Sequence, residues 1–109
     1  MADYKMSLRQ FILPHIASGR KDLEIRVADE KRLAIRVDDT IIFSGRYRRN
    51  VKAIRRYESF EEMLAVEDPG RIMPKWSVEG VLAVLRNIYP PAKEDLGVLV
   101  FELEAIASP

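Results

Sequence analysis

A glycine able to stop a helix stands directly before a run that alternates like a strand: Gly19-Arg20-Lys21-Asp22-Leu23-Glu24-Ile25-Arg26-Val27. Period-two alternation places Leu23, Ile25 and Val27 on one side of that strand and Glu24 and Arg26 on the other. The carboxylate and the guanidinium then share a face, about 7 Å apart at their α-carbons. Lys21 precedes Glu24 by three positions, so a regular strand would send it to the opposite face. An irregular link after Gly19 lets its long stem swing back toward the pair. The segment therefore offers a lysine, an acid and an arginine at one strand entrance, a set able to hold a polar ligand.

Punctuation and periodicity predict the remaining elements. Tyr4 to Leu8 alternates enough for a short first strand, and a helix follows over Gln10 to Ser18, with Gly19 at its stop. Pro14 fits the first turn of a short helix or kinks a longer one. Strands are predicted at Asp22–Val27, Leu33–Val37 and Thr40–Arg46, with Asp38-Asp39 as the tight turn between the last two. Val51 to Tyr57 is a further strand, and Asn50 supplies the turn residue before it. Ser59-Phe60-Glu61-Glu62 reads as a capping box opening a helix to about Val66, which Asp68-Pro69-Gly70 terminates. After an irregular linker, Arg71–Trp76, Ser77 caps the longest helix. Its buried stripe is Val78, Val81, Leu82, Leu85 and Ile88, and Tyr89-Pro90-Pro91 ends it. Gly97 to Glu104 is the last strand, with Leu99, Phe101 and Leu103 on one side. Phe60 and Trp76 read as core. Short strands among helices make one α+β domain over residues 1–109, an open sheet or a barrel.

A chain of 109 residues can bury one core without staples. Its 48% hydrophobic and 32% charged content are those of a soluble globular protein. The absence of cysteine excludes disulfides, thiolate metal sites and cysteine nucleophiles. The single histidine, His15, argues against a zinc site and reads as a helix-surface or partly buried residue. No cofactor is called for. No apolar run reaches membrane-spanning length and the N-terminus lacks the core of a signal peptide, so the expected location is cytoplasmic, away from membranes.

The net charge of +1 conceals an uneven distribution. Arg46, Arg48, Arg49, Lys52, Arg55 and Arg56 fall between Phe43 and Tyr57 with no acid among them, whereas Glu58, Glu61, Glu62, Glu67 and Asp68 follow almost at once. A basic pole suits phosphate-bearing partners, and arginine suits bidentate phosphate contacts. Tyr47 among these cations, and Tyr57 at the end of the same hairpin, offer rings on which bases can stack. A well-solvated hairpin has the same composition.

The Gly-x-Lys-x-x-Glu-x-Arg segment resembles the signature of the ASCH domain family (activating signal cointegrator homology), within the PUA-like superfamily. The resemblance continues through Asp29-Glu30-Lys31-Arg32, Asp39-Thr40-Ile41-Ile42-Phe43, Tyr57-Glu58-Ser59-Phe60-Glu61-Glu62 and Ile88-Tyr89-Pro90. The family usually carries Gly-Asp where this chain has Asp38-Asp39, and aspartate tolerates the left-handed geometry such a turn needs. The resemblance implies a PUA-like small β-barrel of about five to six strands with two to three helices packed at its ends. Some relatives act as amidohydrolases on acetylated cytidine nucleosides, an activity associated with the lysine matching Lys21, a threonine and a distant glutamate. This chain has Glu24 at the place of the threonine, and a carboxylate cannot supply that hydroxyl. Pro74 falls where the distant acid is expected, leaving Glu67, Asp68 and Glu79 as spatial substitutes.

Two functions follow as expectations. The first is a small RNA- or nucleotide-binding module whose cleft is lined by Lys21, Glu24 and Arg26, with Arg46, Tyr47, Arg48, Arg49, Lys52, Arg55 and Arg56 supplying nucleic-acid contacts. The second is a hydrolase of modified nucleosides, or a ribonuclease, in which Lys21 and Glu24 are catalytic. Burial and a neighbouring cation lower a lysine pKa toward that of a base, while a neighbouring acid keeps it charged. The sequence leaves both roles open for Lys21, and the oligomeric state with them.

Overall fold

In a computed structural model that describes residues 1–105, the chain runs β1 (Asp3–Met6), α1 (Leu13–Ala17), β2 (Leu23–Val27), α2 (Glu30–Leu33), β3 (Thr40–Phe43) and β4 (Tyr47–Tyr57). It continues through α3 (Phe60–Val66), α4 (Pro69–Ile72), α5 (Val78–Ile88), α6 (Pro91–Glu94) and β5 (Val98–Leu103). The five strands lie in the order β1-β3-β4-β5-β2. β1 runs parallel to β3, and every other pairing is antiparallel.

The curl of this sheet originates in β4. Its first half pairs with β3, from Tyr47 opposite Phe43 to Asn50 opposite Thr40, and its second half pairs with β5. The register breaks between Val51, opposite Leu103, and Ala53, opposite Glu102, so Lys52 is an extra, bulged residue. A bulge bends its strand and increases the local twist, which turns the sheet into a half-barrel. It also inverts the alternation. Val51 and Ile54 pack with Phe101 and Leu103, whereas Tyr57 packs with Val98 and Val100 on the other face.

Apolar side chains fill both faces. One cluster joins Ile16, Ile41, Phe43 and Val51 to Leu99, Phe101 and Leu103. The other joins Leu23, Ile25 and Val27 to Phe60, Met63, Val81, Leu85, Val98 and Val100. β5 is thus apolar on both sides, not on one alone, as a strand covered on both faces must be. Complete burial of each large side chain contributes about 1.5–3 kcal/mol.

The α+β class and the curled five-stranded sheet match expectation, and local chemistry accounts for the differences. Leu33–Val37 is not a strand. The Asp29 carboxylate accepts the Arg32 N–H at 2.9 Å and the Arg32 guanidinium at 3.0 Å, capping α2 instead. Asn50 is not a turn residue: the hairpin reverses at Ser44 and Gly45 (φ 51° and 70°), so β3 stops at Phe43. Asn50 lies within β4, where its Oδ1 accepts the Thr40 hydroxyl at 2.9 Å. Asp38 takes the left-handed turn expected of it, with φ 77°.

Helices number six among the described residues rather than two to three, because α2, α4 and α6 are single four-residue turns. Asp68 ends α3 by starting α4, its side chain accepting the Gly70 N–H at 2.8 Å. α1 is shorter than predicted, with Pro14 in its first turn and Gly19 (φ 81°) after it. On α5 the buried stripe narrows to Val81 and Leu85, with Leu82 partly covered, while Val78 and Ile88 are half-exposed. Trp76 is half-exposed as well, unlike Phe60, which is fully buried. No helix is long and apolar enough to cross a membrane among the described residues.

Candidate functional site

The left-handed Gly19 turns the chain out of α1, and the Lys21 N–H then donates to the His15 carbonyl at 3.0 Å. That link aims the lysine stem inward, leaving Lys21 3% and Glu24 5% exposed. The Lys21 ammonium donates to the carbonyls of Leu23 (2.6 Å) and Ile72 (3.0 Å) and lies 3.1 Å from Glu24 Oε1. Glu24 Oε1 also accepts the Ile25 N–H at 3.3 Å. Its other oxygen accepts Arg26 Nε at 3.0 Å and Nη2 at 2.7 Å, and Nη2 donates to the Ser7 carbonyl at 3.0 Å. The three ionic tips converge.

These contacts leave little unused. Three acceptors surround the three ammonium protons of Lys21, and both oxygens of Glu24 are doubly engaged. The Arg26 Nη1 amino group is the one that neither Glu24 nor Ser7 engages. The Tyr89 phenol interacts with the same guanidinium, and burial pushes its pKa up, so it is a neutral hydroxyl. The motif has a structural duty too. Among the described residues β2 is an edge strand, paired with β5 alone, and Lys21 and Glu24 satisfy the Leu23 carbonyl and the Ile25 N–H. They seal part of an edge that would otherwise invite another strand.

Burial pushes the Glu24 carboxyl up, but the Lys21 and Arg26 charges and their hydrogen bonds outweigh it and hold the pKa below its ordinary 4.5. Hydrogen bonds from Arg55 lower Glu67 and Glu102 in the same direction. Groups depressed in the fold contribute stability that is present above their unfolded values and is lost as pH falls through the folded ones. The urea midpoint should therefore stay level down to about pH 5 and fall steeply below it. A midpoint still level at roughly pH 3 would contradict these pairings.

Beside the three tips lies a cavity of about 180 Å³. Leu8 and Ile12 bound it on the N-terminal side, Met73 and Trp76 at the end of α4, and Val84 and Leu85 on α5, with Arg26 and Tyr89 at the polar wall. It is smaller than the roughly 300–1,000 Å³ of a drug-sized site. An apolar cavity of about 150 Å³ accepts a benzene, so this one has room for a single planar ring system rather than a row of them.

The basic hairpin is not gathered at the cavity, and none of its residues lines it. Arg46 and Arg49 lie over the Tyr47 ring at 5.2 and 6.0 Å, and Arg49 donates to the Ile16 carbonyl at 2.9 Å. Arg55 binds Glu67 at 2.6 Å and Glu102 at 2.7 Å, while the Tyr57 hydroxyl donates to Glu67. Arg56 donates to the Leu96 carbonyl at 3.0 Å. Arg48 pairs with Asp3 (3.1 Å) and Lys52 with Glu102 (3.7 Å), both with mostly exposed side chains. Glu67, Asp68 and Glu79 do not line the cavity either. His15 is partly buried, and its Nδ1 has no partner among the described residues.

Lys21, Glu24 and Arg26 come together as the sequence predicts, whereas much of the cavity wall has no signature along the chain. Leu8, Ile12 and Val84 gave no signal. Tyr89 was legible only through Ile88-Tyr89-Pro90, and Trp76 only as a lone aromatic directly before the Ser77 cap.

Comparison with known proteins agrees with this architecture. A family model described as the ASCH domain matches residues 6–106. The chain is similar to the crystal structure of hypothetical protein PH0355, with 37% identity and a TM-score of 0.88 over 95% of this chain and 99% of that one. It is also similar to the solution NMR structure of protein PF0455 from Pyrococcus furiosus, with 37% identity and a TM-score of 0.79 over 97% of this chain and 99% of the other. No match was found among curated proteins. With a family-model match over nearly its whole length and a curled half-barrel sheet that agrees with its structural neighbours, this chain belongs to the ASCH domain family.

Proposed function

We propose that the protein is a small RNA- or nucleotide-binding ASCH domain that takes one unstacked base into the cleft beside β2. The observation that carries this reading is a ring-sized apolar cavity with, at its polar wall, the Tyr89 phenol and the Nη1 of Arg26 that neither Glu24 nor Ser7 engages. One oxygen of Glu24 accepts from both Nε and Nη2, which fixes the plane of the guanidinium and hence the direction of its remaining donors, as recognition of a carbonyl or ring-nitrogen acceptor requires. Lys21, Glu24 and Arg26 sum to one positive charge, which tolerates a neutral base edge and favours a nearby phosphate. On the hairpin, Arg48 and Lys52 are the best phosphate candidates, since both side chains are mostly exposed: the Arg48–Asp3 pair exchanges at little cost, and the Lys52 contact with Glu102 is long at 3.7 Å.

A hydrolase or ribonuclease has less support. It asks Lys21 or Glu24 to exchange a proton with substrate, and both are fully engaged within the fold. No other carboxylate lines the cavity among the described residues.

Titration with short single-stranded RNA at two salt concentrations tests the proposal. Affinity is expected to fall with salt, with a log–log slope of about −0.7 per phosphate contacted. Arg26→Lys, whose ammonium lacks the rigid fork that bonds Glu24 Oε2 through Nε and Nη2 while aiming Nη1 outward, should weaken binding about tenfold. No binding at low salt, or binding indifferent to salt, would overturn the reading.

A further inference from the structure

We infer that the exposed Phe11 and Trp76 rings at the cleft rim form a stacking platform for the nucleotide next to the base in the cleft, with Lys75 and Arg9 holding the phosphate between them. This rests on the nucleic-acid reading above and extends it from one nucleotide to two.

Phe11 and Trp76 lie 6.2 Å apart between centroids with planes 11° from parallel, yet they are 49% and 37% exposed. Packing explains their contact with each other but not their shared exposure. A large apolar surface left in water is the informative exception in a folded chain. Trp76 also lines the cavity, so the platform is continuous with the cleft, whereas Phe11 stands outside it.

Lys75 supplies an independent observation. The Trp76 N–H donates to the Met73 carbonyl at 3.2 Å, closing a turn with Pro74 second and Lys75 third. Lys75 has φ 71° there, a conformation suited to glycine and strained for lysine. Its exposed side chain has no acidic partner among the described residues, so the fold does not need its charge. Arg9, at the cavity mouth, is likewise exposed and unpaired among them. Flat rings flanked by unpaired cations are the equipment that binds single-stranded nucleic acid: rings stack bases, and cations hold the backbone.

The experiment compares a ribonucleoside monophosphate with the matching dinucleotide, read by fluorescence of the chain's single tryptophan. The dinucleotide should bind about tenfold tighter and quench Trp76 more strongly. Phe11→Ala should remove that gain while leaving mononucleotide affinity in place. Lys75→Gly should raise Tm by about 4 °C through relief of strain, yet weaken dinucleotide binding and reduce its salt slope by about 0.7. If the mononucleotide binds and Phe11→Ala keeps the full dinucleotide gain, the platform is overturned while the cleft reading stands. If only the dinucleotide binds and Phe11→Ala abolishes that binding, the rings hold the nucleic acid without the cleft, and both the cleft reading and the platform that extends it are overturned. Binding of neither ligand removes both, and a protein partner whose binding is lost in Phe11→Ala would then claim the rings.

Discussion

Glu24→Gln is expected to cost about 3–5 kcal/mol of folding stability, measured by urea denaturation at neutral pH. The substitution preserves shape but removes the one negative charge between Lys21 and Arg26, and the amide must turn an N–H toward one of two cations. Both are shielded from water by the same walls that shield Glu24, with side chains 3% and 13% exposed. Taking one partner from a buried pair leaves an uncompensated charge, which is why the loss exceeds anything expected at the surface. The exposed Arg86–Glu61 pair at 3.0 Å provides the control, and Glu61→Gln should leave the midpoint where it is. A Glu24→Gln midpoint equal to that of the parent would remove the triad from the account of the fold. Lys21→Ala strips donors from two buried carbonyls, so lost ligand binding in that variant is first a folding defect. It is evidence of chemistry only if the variant remains folded.

Val84→Phe should separate the cleft from the fold. Val84 is partly exposed and faces the cavity from α5, and an added ring has about 180 Å³ to enter. The new side chain occupies the place of the ligand rather than a filled core, so the strain of overpacking is avoided. Excluding a base removes its packing, about 1–3 kcal/mol, and its bond to a charged donor, about 1.5–3 kcal/mol. RNA affinity should therefore drop at least about 100-fold, with the melting temperature unchanged or raised. Undiminished affinity in a folded Val84→Phe would move the binding site elsewhere, with the hairpin face around Arg48 and Lys52 next in line.

What was legible beforehand was whatever neighbours along the chain decide. β2 alternates, Ser59 and Ser77 cap α3 and α5, and the convergence at Glu24 follows from a turn plus a strand. Failures arose where two local signals competed. Leu33, Ile35 and Val37 alternate like a strand, but the Asp29 cap acts over three residues and starts a helix first. Asn50 looked like a turn, but the Ser44-Gly45 reversal left it inside the following strand. The cavity itself was out of reach: its walls come from residues 7–12, 21–26, 72–76 and 81–89, and no local period links them. The concentration of cations in the hairpin was plain, but their separation depends on a bulge that composition does not announce.

That bulge bears on which length changes the family can accept. Lys52 is the odd residue that lets Ile54 point toward Phe101 while Arg55 reaches Glu67 and Glu102. Removing that one residue would leave Val51 opposite Leu103 and Ile54 opposite Phe101 in a regular ladder, so the strand would keep its faces and lose the bend that curls the sheet. A single residue gained or lost elsewhere in β4 would exchange its faces, so viable lineages should confine length changes to the bulge or to the Ser44-Gly45 tip.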